Sequence, residues 1–103
     1  MTAPPENVAT LAGYQSAARR TINVELTDDE RLLDASAGLA EEAGEVLSHV
    51  RKHLFQGRAL DREAVVLELG DALWCLAIAA DTLGVSLQDV AQRNVEKLRS
   101  RHP

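Results

Sequence analysis

Five carboxylates fall into two short patterns: Glu41, Glu42 and Glu45 form one, Glu68 and Asp71 the other, with 22 residues (46–67) between them. On helices, spacings of three and four residues place each set on one face. Two such faces brought together would crowd like charges, and a hard divalent cation relieves that repulsion. All-oxygen ligation selects Mg²⁺ or Mn²⁺ over zinc or copper. Such an ion keeps open positions for water and phosphate oxygens, so the pattern suits phosphate-ester chemistry. Helical di-iron proteins also use inward Glu residues, but with Glu-x-x-His pairs. Here the pairs are Glu42-x-x-Glu45 and Glu68-x-x-Asp71, with no histidine in the fourth place.

Each set also has a plainer reading. Glu41, Glu42 and Glu45, with Gly38 and His49 beside them, lie opposite Leu39, Ala43, Val46, Leu47, Val50 and Leu54. Alone, that is the solvated face of an amphipathic helix. The second pair is different. Residues 64–80 read AVVLELGDALWCLAIAA, apolar nearly all round, and Glu68 and Asp71 are the only charges in the stretch. Ala64, Ala72 and Cys75 around them are small and leave space. Two ionised carboxylates in such surroundings are costly unless paired or bound to metal. A basic partner would serve, but the polar face of the preceding helix offers mainly more acid, plus Lys52.

The elements that must position these groups are helices. All three prolines lie at the ends (Pro4, Pro5, Pro103), so nothing of that kind breaks residues 6–102. A first helix is expected from Pro4 or Pro5 to about Arg20. Residues 21–26 (TINVEL) read as a connector with local extended character. Thr27-Asp-Asp-Glu30 is a capping-box pattern opening a long helix to about Phe55, with Gly57 as its stop. Asp61 caps a third helix, from about Arg62 to Leu83 before Gly84, and Ser86 a fourth, to about Ser100. The fold class is all-α, a four-helix bundle-like single domain over residues 1–103.

Composition bounds the function. Of 103 residues, 46% are apolar and 26% charged, which makes the chain globular, and aromatics are only 3%. A core of this size is thin, so association through helix faces would help it. The net charge of −5 disfavours a direct grip on nucleic acid, as does the absence of a basic cluster with aromatics. The single cysteine, Cys75, rules out an internal disulfide and suits a reducing compartment. The opening MTAPPENVAT has no secretory pattern, and the longest apolar run, 72–80, is too short to span a bilayer. A soluble cytoplasmic protein is expected.

The remaining polar residues divide less sharply. Asn94, Lys97 and Arg101, with Arg93 near them, share one side of the fourth helix. They form either a phosphate-facing stripe or a solvated face with cations at a helix C-terminus. Lys52 and Arg51 face substrate or solvent. His49 and His53, four apart, lack a third zinc ligand and read as surface histidines. Trp74 sits beside Asp71 but on a different face, so packing is expected of it. Cys75 reads as a small packing residue rather than a nucleophile.

At the carboxylates the sequence resembles the MazG-like nucleoside triphosphate pyrophosphohydrolases, the all-α NTP pyrophosphatase superfamily. That family's signature is Glu-Glu-x-x-Glu, a variable spacer, then Glu-x-x-Asp; here it reads Glu41-Glu42-Ala-Gly-Glu45 and Glu68-Leu-Gly-Asp71. Tyr14-Gln15, Gly38-Leu-Ala, Leu73-Trp74 and Arg93-Asn94-Val-Glu-Lys97-Leu98 match the family's context, so the likeness covers nearly the whole chain. Cys75 stands where some relatives carry an aromatic. The resemblance implies a homodimer or homotetramer that hydrolyses nucleoside or deoxynucleoside triphosphates to monophosphate and pyrophosphate. It implies Glu42, Glu45, Glu68 and Asp71 as ligands of Mg²⁺ (or Mn²⁺), and Glu41 as the acid that holds a further metal or deprotonates water. Lys52, Asn94, Lys97 and Arg101 are the candidate substrate contacts. The competing expectation is a non-catalytic, metal-stabilised interaction or regulatory module.

Overall fold

Cap chemistry sets the boundaries of every helix in the computed structural model, which describes residues 8–103. Helix α1 runs Leu11–Arg19, α2 Asp28–Gln56, α3 Arg62–Thr82 and α4 Leu87–Arg101, with no strand among the described residues. The chain is all-α, as expected. At the start of α2 the Thr27 hydroxyl accepts from the Glu30 N–H (3.2 Å) while Glu30 Oε1 accepts from the Thr27 N–H (2.9 Å). Both otherwise orphaned donors are satisfied. Gly57 ends α2 with φ 66°, a left-handed turn that a side chain would strain. Asp61 and Ser86 cap α3 and α4 through the N–H groups of Ala64 and Asp89.

Two boundaries differ from the sequence expectation. Thr10, not a proline, caps α1, its hydroxyl accepting from the Gly13 N–H at 2.9 Å. Pro4 and Pro5 lie outside the described residues. Residues 21–26 form turns rather than an extended segment. The Asn23 side chain accepts from the Glu25 N–H, and Arg31 Nη2 donates to the carbonyls of Asn23 and Leu26 at 3.1 Å each. These local bonds hold the connector folded against α2, overriding its β-branched residues.

Helix α3 is the hub. It packs against α1, α2 and α4, whereas α2 packs against α3 alone. All four helices contribute to one small core, α2 only through Ala35, and the rest of α2 runs along α3 alone, so the expected bundle is open within a single chain. The Cα radius of gyration of 16.2 Å exceeds the ~13 Å of a compact domain of this length. The core is small: Ala18, Ala35, Ala77, Ile78 and Leu87, flanked by Leu11, Tyr14, Ile22, Leu73, Trp74 and Ala79. Its alanines let helices approach closely but remove little apolar area from water.

One buried polar side chain holds this end together. Gln15 is buried; its amide donates to the Val85 carbonyl at 3.1 Å, and its Oε1 accepts from the Leu87 N–H at 2.8 Å. It supplies the partners that the α3–α4 turn and the first residue of α4 would otherwise lack.

Although apolar nearly all round, α3 is not buried all round. Only Cys75, Ala77, Ile78 and Ala80 are buried, while Val66, Leu67, Leu69 and Leu76 are exposed. On α2, Leu33, Leu47, Leu54 and Phe55 are exposed as well, Phe55 at 79%. Periodicity registers that a face is apolar but not whether this chain or another covers it.

Candidate metal centre

The α2–α3 hairpin brings Glu42, Glu68 and Asp71 together, with one carboxylate oxygen from each lying within 4.8 Å of the other two. Close approach of the two helices makes this possible. Gly38, one turn before Glu42, faces Cys75, one turn after Asp71. A Cβ at Gly38 would come 2.9 Å from Cys75 Sγ, closer than carbon and sulfur tolerate. Glycine on one helix and a small buried thiol on the other thus set the interhelix distance at the carboxylates.

This packing carries a prediction. Gly38→Ala gains about 1 kcal/mol of helix propensity but incurs about 1–3 kcal/mol of overpacking. The net expectation is a lower melting temperature, restored in Gly38→Ala/Cys75→Ala, where the clashing sulfur is gone. A double-mutant cycle by thermal melting checks it; additive effects would show that the two positions do not touch.

The electrostatics follow from crowding. The Glu42 carboxyl is pushed up to about 7 by its hydrogen bond with Glu68, by burial, and by the charges of Glu68, Asp71 and Glu41. Glu42 Oε2 is buried and has no hydrogen-bond partner. A buried carboxylate oxygen without a partner, facing two further carboxylates, is what a hard divalent cation satisfies. The donor set fits such an ion: three oxygens, no nitrogen or sulfur.

The other sequence-derived residues fall around this group rather than within it. Glu41 and Glu45 are exposed on α2, outside the 4.8 Å cluster. Asn94 lines an apolar hollow with Leu11, Leu73, Leu87, Val90 and Ala91. Lys97 and Arg101 are exposed near the end of α4, a helix that does not pack on α2. Lys52 is exposed on α2 and lines a cavity near the α2–α3 turn.

Three neighbours escaped the sequence reading. Trp74, expected only to pack, lines a cavity of about 230 Å³ with Asp34, Gly38, Glu42, Asp71 and Cys75. Its Nε1 donates to Thr21 Oγ1 at 2.7 Å, and that hydroxyl donates to the Ala18 carbonyl, which fixes the indole against the connector. Asp34, two helical turns before Glu42, closes the same cavity. The Tyr14 phenol is raised by burial and by the charges of Asp71 and Cys75, so α1 also presents a polar group to the cluster. The pairing of Tyr14 with Gln15 in a short polar helix was the available signal. Cys75 is raised by burial and then by Glu42, Asp34 and Asp71. Its thiol stays protonated, which fits packing and not nucleophilic attack.

Comparison with known proteins agrees with the geometry. The chain is 40% identical over 76 residues to the Gene 37 protein of Mycobacterium phage L5, covering 70% of this chain and 67% of that one. It is 38% identical over 72 residues to the uncharacterized protein YvdC of Bacillus subtilis (strain 168), covering 61% of this chain and 68% of that one. No solved structure matches it. Residues 31–103, which carry both acidic motifs and all of α3 and α4, match the MazG nucleotide pyrophosphohydrolase domain. With its paired acidic motifs converging across the α2–α3 hairpin, the chain belongs to the MazG nucleotide pyrophosphohydrolase family.

Proposed function

We propose that this chain is a Mg²⁺-dependent pyrophosphohydrolase that converts nucleoside or deoxynucleoside triphosphates to monophosphates and pyrophosphate, with a housekeeping role in the cytoplasmic nucleotide pool. The observation that carries the reading is the convergence of Glu42, Glu68 and Asp71 around a buried, partnerless Glu42 oxygen, in a chain of this family. Glu42, Glu68 and Asp71 hold the metal, with Glu45 completing the set from the next turn of α2. Mn²⁺ would serve the same oxygens. When bound, the ion supplies charge neutralisation and polarisation of phosphate oxygens.

The chain's own groups do the rest. Water attacks the α-phosphorus; the new P–O bond forms as the bond to the bridging oxygen of the β-phosphate breaks, and pyrophosphate leaves. Glu41, exposed beside the cluster, orients the water and accepts its proton. Lys52, Asn94, Lys97 and Arg101 contact the substrate. The hollow between Trp74 and Gly38 adjoins the carboxylates and suits the nucleoside end.

The enzyme works as a homodimer or homotetramer. Supporting this are the exposed Leu33, Leu47, Leu54 and Phe55 of α2 and Val66, Leu67 and Leu69 of α3, large apolar side chains of the kind that association would cover. Sedimentation at micromolar concentration should give at least twice the monomer mass, and Leu69→Asp/Phe55→Asp should shift it towards monomer. A wild-type monomer at all concentrations would overturn the assembly.

The same open faces support the competing reading of a non-catalytic interaction module. Turnover separates the two: release of pyrophosphate from a panel of nucleotides with Mg²⁺ is expected only of the enzyme.

A further inference from the structure

Two cavities along α2 have chemically opposite linings. On α2, Glu42, Glu45, His49 and Lys52 recur at intervals of three, four and three, so they share one face of the helix. At one end of this line lie Asp34, Glu42 and Asp71 with Trp74, Cys75 and Gly38. At the other, beyond Glu45, a cavity of about 280 Å³ is lined by His49, Lys52, Arg58, Ala59 and Asp61.

This second cavity is built around the end of α2. Gly57, at φ 66°, turns the chain back sharply, and His53 Nδ1 lies 2.7 Å from the Arg58 carbonyl, which fixes the backbone that carries Arg58. Asp61, its one acid, is occupied as the cap of α3, Oδ1 accepting from the Ala64 N–H. Among the described residues, neither Lys52 nor Arg58 has an ion-pair partner, in a chain whose net charge is −5. Two unpaired cations and an imidazole in a concave site, within an acidic protein, are an anion receptor.

We infer that His49, Lys52 and Arg58 receive the terminal phosphates of the substrate and the pyrophosphate that leaves, so that the triphosphate lies along α2 from one cavity to the other with its tail towards the Gly57 turn. This rests on the pyrophosphohydrolase reading for its substrate, but the anion site itself does not. The direction follows from charge. Reversed, the tail would meet Asp34, whose carboxylate repels phosphate, and the nucleoside would meet two cations and little apolar surface. Helical rise places His49 about 10 Å along α2 from Glu42. Glu45 lies between, so the carboxylates sit at the α-phosphate and the cations at the far end of the tail.

The test is calorimetric titration of the full chain with inorganic pyrophosphate, with and without Mg²⁺, on wild type, Lys52→Gln, Arg58→Gln and Lys52→Gln/Arg58→Gln. Arg51→Gln is the charge-matched control, since Arg51 adjoins Lys52 in a neighbouring hollow but does not line the cavity of His49 and Arg58. All these side chains are exposed, so the variants should melt as wild type does. The double variant is expected to bind pyrophosphate at least tenfold more weakly, with monophosphate affinity unchanged and KM for triphosphate raised more than kcat is lowered. Pyrophosphate affinity within twofold of wild type in the double variant, or an equal loss in Arg51→Gln, would overturn the inference. Should pyrophosphate bind and the double variant lose it while no nucleotide is turned over, the anion site stands and the catalytic reading fails. Should wild type hydrolyse triphosphates while the double variant keeps its affinity, the catalytic reading stands and this placement of the tail fails.

Discussion

Asp71→Ala should lower pyrophosphate release by about 10²–10³-fold, the usual loss on removing one preorganised electrostatic group from a phosphoryl-transfer site. The fold should survive it. Asp71 is exposed, accepts no capping bond, and lies on a helix whose packing is carried by Cys75, Ala77, Ile78 and Ala80 on other turns. Its charge helps raise the Glu42 carboxyl, so removing it relieves repulsion in the metal-free protein. Melting without metal should therefore be unchanged or slightly higher than wild type, while the stabilisation that Mg²⁺ gives wild type is lost. Activity falling while metal-free stability holds is the signature of a group retained for function. A variant that unfolds would assign Asp71 to the fold instead, and one with wild-type turnover would remove it from the site.

Metal binding should weaken as pH falls below about 7. The Glu42 carboxyl holds its proton up to about 7, against an ordinary 4.5, with its hydrogen bond to Glu68 as the largest cause. A ligand carboxyl must lose that proton to bind an ion, so binding should release about half a proton at neutral pH and close to one about a pH unit or more below it. Below neutrality the apparent affinity for Mg²⁺ should drop by up to about tenfold per pH unit. The metal-free protein shows the other side of this linkage. Between 4.5 and about 7 the folded chain carries a proton that the unfolded chain has lost. Its contribution to stability is therefore complete below 4.5 and lost as pH rises through about 7. Glu42→Gln, which keeps the shape without the ionisation, should flatten both dependences. Proton release measured by calorimetry in two buffers of different ionisation enthalpy checks the first part, and melting against pH checks the second. PH-independent metal affinity from 5.5 to 8 would contradict the shared proton.

What the sequence made legible was local. Thr27 with Glu30, Gly57, Asp61 and Ser86 were readable because a cap is made within three or four residues of itself, and each boundary lies where that chemistry puts it. The spacing of Glu68 and Asp71 within an apolar helix was readable for the same reason. Contacts across long stretches of chain were not. Nothing in the pattern around Gly38 announces that Cys75 Sγ lies against it, and nothing around Trp74 announces that Thr21 holds its indole at the carboxylates. The α2 motif shows the limit well. Glu41, Glu42 and Glu45 look alike in sequence, yet only Glu42 is drawn into the cluster with Glu68 and Asp71: Glu41 is turned about 100° away around the helix, and Glu45 lies most of a turn farther from the Gly38 approach. The apolar faces of α2 and α3 were legible as faces needing cover, but the chain that covers them was not.

Hydrolysis at this cluster, as proposed, cuts between the α and β phosphates. It is tested most directly by incubating wild-type protein and Mg²⁺ with a panel of ribo- and deoxynucleoside triphosphates, canonical and damaged, in heavy-oxygen water. Monophosphate and pyrophosphate are expected in equal amounts from at least one of them, with the heavy oxygen in the monophosphate. No pyrophosphate across the panel with Mg²⁺ or Mn²⁺, or heavy oxygen appearing in the pyrophosphate, would contradict it.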